Sequence, residues 1–131
     1  MSRLMNSRRT SYDIHFAYIT LQLLDKIRVV LKEYPEIHEA WIFGIHALEN
    51  AKPTSDIDIA LSGEIDEKKL LHINSILHQR LSISRKVLCI HYESTETVLR
   101  NHIQRDGVKI YDCDENFSDP HAKKKKRHIT L

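Results

Sequence analysis

The stretch Ser55-Asp56-Ile57-Asp58-Ile59-Ala60-Leu61 constrains this chain more than any other, because it follows Trp41-Ile42-Phe43-Gly44-Ile45 across one short connection. Alternate residues of a strand share a face, so Asp56 and Asp58 project one way while Ile57 and Ile59 point into a core. Two carboxylates are thereby set beside a glycine turn. That arrangement is a metal clamp, since hard divalent cations such as Mg²⁺ prefer carboxylate oxygens, keep several waters and bridge to phosphates. The pattern points to a nucleoside triphosphate as ligand.

The elements around this motif alternate. Ser11 to about Glu33 reads as one long helix, with Ile14, Ala17, Leu21, Leu24 and Leu31 near helical spacing and Tyr34-Pro35 ending it. Phe16, Ile19, Leu23, Ile27 and Val30 widen its apolar arc, which suits a helix covered on two sides, by the core or by a partner. Ile37 to Phe43 is a strand, Ile45 to about Glu49 starts a short helix, and Asp56 to Leu61 is a second strand that Gly63 turns. Asp66 is placed to cap a helix running to about Leu81, with Leu70, Ile73, Leu77 and Leu81 inward. Val87 to Tyr92 is a third strand. Ser94 is placed to cap the last helix, Gly107 suits a left-handed helix end, and Val108 to Tyr111 closes the sheet. The class is α/β (α+β), a small mixed sheet with helices packed on one side.

At 131 residues the chain has apolar content for a single core. Residues 1–10 read as a flexible start, 11–112 as the domain and 113–131 as a basic, disordered tail. No stretch is long and apolar enough to span a bilayer, and Met1 to Thr10 lacks a signal peptide's apolar segment, so a cytoplasmic protein without membrane contact is expected. Cys89 in an apolar run and Cys113 in a polar one read as free thiols. The formal charge of +2 hides an asymmetry, because the Lys123-Lys124-Lys125-Lys126-Arg127 run outweighs it and leaves a mildly acidic body. Such a terminal run is ordinarily a solvated tail, and nucleic-acid binding is not expected of it.

The motif resembles that of the minimal nucleotidyltransferases of the DNA polymerase beta-like superfamily. Their signature is Gly-Ser, ten residues, then Asp-x-Asp; here Gly44-Ile45, the ten residues His46 to Ser55, and Asp56-Ile57-Asp58 reproduce the spacing, with Ile45 in the serine's place. The stretch from Val98 to Tyr111 is similar to the family's last helix, glycine turn and final strand. The resemblance thus covers roughly residues 11–112 and implies the polymerase beta-like nucleotidyltransferase fold.

It also implies roles. Asp56 and Asp58 become the catalytic and metal-binding pair for Mg²⁺ or Mn²⁺, and Gly44, Ile45 and Ser55 the nucleotide-binding segment. Backbone N–H groups after Gly44 attract phosphate whatever side chain they carry. The family continues with Arg-Ala-Arg-Gly where this chain has His46-Ala47-Leu48-Glu49, leaving His46 as a candidate phosphate contact when protonated. A third carboxylate is expected near Leu88, but no aspartate or glutamate lies between Arg85 and Tyr92. His91 and Glu93 are the nearest substitutes, and His91 lies on the opposite strand face from Leu88. As a ligand, His91 would favour Mn²⁺ or Zn²⁺.

Two functions follow from the resemblance. One is transfer of a nucleoside monophosphate, AMP from ATP, to a hydroxyl of a protein partner, a helical HEPN-family toxin for which this chain would be the antitoxin, in a hetero- or homo-oligomer. The alternative is a catalytically degenerate nucleotidyltransferase-fold protein that acts by binding its partner.

Overall fold

The computed structural model describes residues 16–48 and 50–114, and expectations for residues 1–15 and for the basic tail lie outside these. Three α-helices and four strands occur among the described residues: α1 (Leu21–Lys32), β1 (Ile37–Phe43), β2 (Ile57–Gly63), α2 (Glu67–Leu81), β3 (Val87–His91), α3 (Thr97–Asp106) and β4 (Val108–Asp112).

The sheet order is β3-β2-β1-β4. Strand β1 is central, antiparallel to β2 and to β4, and β3 runs parallel to β2. The main core lies between one sheet face and α1 and α2, where Leu24, Ile27, Leu31, Ile42, Ile57, Ile59, Ile73 and Leu77 are buried. A second apolar cluster joins Trp41, Ala60 and Ile103 of α3, with Phe43, Ile90, Tyr92 and Leu99 packed around it. Trp41 and Ala60 are register partners whose neighbours Ala40, Ile42, Ile59 and Leu61 belong to the main core. Strand alternation therefore puts α3 on the opposite face, not on the same side as the other helices.

The first helix is shorter than its apolar arc suggests. Residues 16–20 are not helical, and Thr20 sits at the N-cap in extended conformation with its hydroxyl accepting the Leu23 N–H at 3.1 Å. Phe16, Ile19 and Leu23 are buried in the main core. These side chains are thus not the open face for a partner that a continuous helix would present.

The helix from Ile45 is only a single 3₁₀ turn, Gly44–His46, after which the N–H groups of Ala47 and Leu48 both reach the Gly44 carbonyl. Asp66 caps α2 as expected, accepting the Lys69 N–H at 2.7 Å. Ser94 does not cap α3: Glu96 occupies that position without a side-chain bond, and Ser94 Oγ pairs with His91 Nδ1. Gly107 is not left-handed but extended, at φ −64° and ψ 150°. Its requirement is close approach, since a Cβ there would lie 2.5 Å from the Ile103 carbonyl oxygen, which accepts the Gly107 N–H. Cys89 is buried, Cys113 is exposed, and both are free thiols. No helix among the described residues is long and apolar enough to cross a membrane.

Candidate active site

The antiparallel register of β1 and β2 sets Phe43 opposite Asp58, and the parallel register of β2 and β3 sets Leu88 beside Asp58. Asp58 therefore stands in a row between two apolar side chains on the sheet face opposite the main core. At the next residue of β1 the chain turns: Gly44 has φ +75°, and a Cβ built on it would lie 2.9 Å from Asp58 Oδ2. Only glycine leaves the carboxylate that space.

Asp56 lies just before β2 and is exposed. Its Oδ1 accepts the Lys86 N–H at 3.3 Å, while the Ile57 N–H donates to the Lys86 carbonyl at 2.8 Å, so the entry to β3 anchors the motif. Asp56, one residue before β2, is near enough to Asp58 for the two carboxylates to repel each other. Burial holds the Asp58 carboxyl above its ordinary range, repulsion by Asp56 adds to this, and the nearby His46 works against it. Such a pair is short of positive charge. Hard oxygen donors, one exposed and one half-buried, fit a divalent cation whose remaining positions are filled by water and phosphate oxygens.

The other residues marked in the sequence divide. Ile45 is exposed on the turn. His46 is buried, and its Nε2 donates to the Ser55 carbonyl at 3.1 Å, so its ring faces the protein instead of open solvent. Ser55 closes the connection on itself: its N–H donates to the Lys52 carbonyl at 3.0 Å and its Oγ accepts the Lys52 N–H at 2.9 Å. Leu88, near which the resemblance expects a third carboxylate, is exposed. His91 is in register with Leu61, at the far end of β2 from Asp58. There its Nε2 meets the Gly63 carbonyl at 2.7 Å and Glu93 Oε1 at 3.1 Å. The fold does not bring His91 to the carboxylates. Nothing in the residue pattern signals the Lys86 contact, whereas the Phe43 wall follows once β1 and β2 are paired.

Among the described residues, a three-member group of potential ligand atoms forms elsewhere, from Asp112, Cys113 and Asp114 at the end of β4. Asp112 is already engaged by Lys109 Nζ at 3.1 Å and by the Asp114 N–H at 2.9 Å.

The sequence model described as "Polymerase beta, Nucleotidyltransferase" matches residues 25–116, which include both halves of the motif. The chain belongs to the polymerase beta nucleotidyltransferase family. Its nucleotidyltransferase fold is shared with solved structures. A toxin–antitoxin crystal structure with AMP-PNP matches at 20% identity and TM-score 0.60, covering 82% of this chain and 89% of that one. The MntA–HepT toxin–antitoxin matches at 20% identity and TM-score 0.54, covering 82% and 86%. The tri-AMPylated HEPN toxin of Shewanella oneidensis in complex with MNT antitoxin matches at 20% identity and TM-score 0.53, covering 85% and 90%. No curated protein matches the chain in sequence. The Asp56/Asp58 pair of this nucleotidyltransferase-family chain thus sits beside the Gly44 turn, with Leu88 and the inward-facing His46 around it.

Proposed function

We propose that this chain binds a nucleoside triphosphate, ATP in the first instance, with Mg²⁺ or Mn²⁺ at Asp56 and Asp58, and that it serves as the nucleotidyltransferase-type antitoxin of a helical HEPN-type toxin. The observation that carries the reading is the close approach of Gly44 to Asp58, with Asp56 near enough to repel the Asp58 carboxylate. Gly44 lets the main chain come near the phosphates, and the carboxylates supply the hard oxygen donors. The bound cation would neutralise the phosphates and polarise the reacting phosphoryl group. In the reaction the partner's hydroxyl oxygen bonds to the α-phosphorus, the bond to the α,β-bridging oxygen breaks, and pyrophosphate leaves with that electron pair while the hydroxyl proton passes to water. Solved complexes with the same fold contain an ATP analogue in one case and an AMPylated HEPN toxin in another, which supports the nucleotide and the acceptor class.

A second reading, nucleotide and partner binding with little turnover, is favoured by one observation: Leu88, not a carboxylate, stands beside Asp58. Calorimetry of Mn²⁺ with AMP-PNP, wild type against Asp56→Asn with Asp58→Asn, tests the shared part. Heat in the wild type that the double variant lacks is expected, and equal heats would remove the site. Label transfer from α-labelled ATP to a HEPN-type protein that co-purifies with this chain separates the readings.

A further inference from the structure

We propose that His46 is a positioning residue of the nucleotide site, acting as a latch that fixes Asp56 through the carbonyl of Ser55; this rests on the function proposed above. The described part of the connection from Gly44 to Asp56 is lightly packed. Ile45, Leu48, Lys52, Pro53 and Thr54 are exposed, and in its described part only His46 and Ala47 are buried. A loop so lightly packed would leave its far end mobile. The far end is Ser55, whose peptide leads directly into Asp56.

Among the described residues, three bonds converge on Ser55. Two come from Lys52 and close the turn Lys52–Ser55 on itself, without tying it to the body of the protein. The third, from His46 Nε2 at 3.1 Å, is the one that does so. A carbonyl only accepts, so Nε2 carries the proton, and the bond holds in both the neutral ring of that tautomer and the imidazolium. His46 is two residues beyond Gly44, so a single side chain ties the glycine turn that faces Asp58 to the peptide that carries Asp56. From the other side Lys86 holds Asp56 through its own N–H. With both restraints the carboxylate is set against Asp58; with one it swings. The residue whose ring is turned inward thus serves the site by geometry instead of by touching phosphate.

The test uses the full chain and Mn²⁺ with AMP-PNP as the probe, measured by calorimetry at a temperature where circular dichroism shows each variant folded. His46→Gln retains a donor on a side chain of similar reach, and His46→Leu fills the buried space without one. The Leu variant is expected to lose affinity by about tenfold or more, as supporting contacts to metal ligands do, while Gln stays near wild type. A purely structural role would lower both melting temperatures without separating the two affinities. Leu binding as tightly as wild type would overturn the latch and leave the site standing. A wild type that binds no better than Asp56→Asn with Asp58→Asn would overturn the site reading itself, and the latch with it.

Discussion

Gly44 and Asp58 approach so closely that a Cβ on the glycine would stand 2.9 Å from the carboxylate oxygen Oδ2. Gly44 also has φ +75°, where a residue with a Cβ is strained by about 1–2 kcal/mol. Gly44→Ala should therefore lower stability by about that amount in urea unfolding. It should also push Asp58 off its place and weaken Mn²⁺–AMP-PNP binding by about tenfold or more. Unchanged affinity would show that the glycine matters to the turn alone.

Asp58 carries opposed demands. Burial and the neighbouring Asp56 hold its carboxyl above the ordinary range. A carboxyl whose folded pKa is raised stabilises the fold at acid pH and loses that contribution as pH rises through the raised value. At neutral pH without metal, the charged Asp58 therefore costs stability. Asp58→Asn should stabilise the metal-free protein by no more than about 1 kcal/mol given solvent screening, and so raise its melting temperature. The gain over wild type should shrink as pH falls, and the variant should not bind Mn²⁺–nucleotide. A lower melting temperature at neutral pH would contradict the strain assigned to Asp58.

Much of the site is legible in the sequence because strand alternation and motif spacing leave little freedom. Strand β1 runs from Ile37 to Phe43 as the apolar pattern requires, and Asp66 caps α2. The residue beside Asp58 on β3 is Leu88, near which the resemblance expects a third carboxylate. The misreadings occur where one residue type serves two geometries. Phe16 and Ile19 fit a helical stripe but are buried from a non-helical approach, because Thr20 starts the helix afterwards. Gly107 fits a left-handed end but answers to a carbonyl. His46 has the same composition whether it faces phosphate or the Ser55 carbonyl, and only the folded connection decides.

Leu88 is 42% exposed beside Asp58, so Leu88→Asp places a third carboxylate in the row without opening the core. Removing a single stabilising group from an active site typically lowers rates by about 10²–10³. Label transfer to the partner should accordingly rise by at least about tenfold in Leu88→Asp. The metal-free variant should be less stable than wild type, from added repulsion with Asp58, and Mn²⁺ should restore it. Changing His46→Arg at the same time should work against the gain, because it forces a guanidinium into the space of a buried ring. No increase in transfer with Leu88→Asp would mean that the missing carboxylate does not limit turnover.

Helix α1 separates core from surface along its length. Leu23 is buried, so Leu23→Glu should destabilise by at least about 3 kcal/mol or prevent folding, through lost burial and an unpaired charge. Val29 is 57% exposed, and Val29→Glu should leave the melting temperature nearly unchanged. Co-purification with the partner then reports on the surface alone. If α1 meets the partner, Val29→Glu together with Leu21→Glu should abolish association in a folded protein, while truncation at residue 121 changes little. The reverse pattern would move the interface to the tail.

Among the described residues, polar side chains of two helices reach main-chain groups of the outer strands. On β4, the buried Arg28 donates from Nε to the Ile110 carbonyl at 2.7 Å. On β3, Asn74 of α2 takes both main-chain groups of one residue, accepting the Cys89 N–H at 2.8 Å and donating to the Cys89 carbonyl at 3.0 Å. The amide thus stands in for a neighbouring strand, and the edge is not left as a template for another chain. Asn74→Ala should expose that peptide and cost about 1–2 kcal/mol, the lower part of the range for an unmade buried bond, since water can enter. Asn74→Asp keeps an acceptor for the N–H but no donor for the carbonyl, and should fall between the two in urea unfolding. Sedimentation should show Asn74→Ala self-associating more strongly than wild type as concentration rises. An Ala variant as stable and no more associated than the parent would show that α2 shields this edge by bulk, with Asn74 incidental.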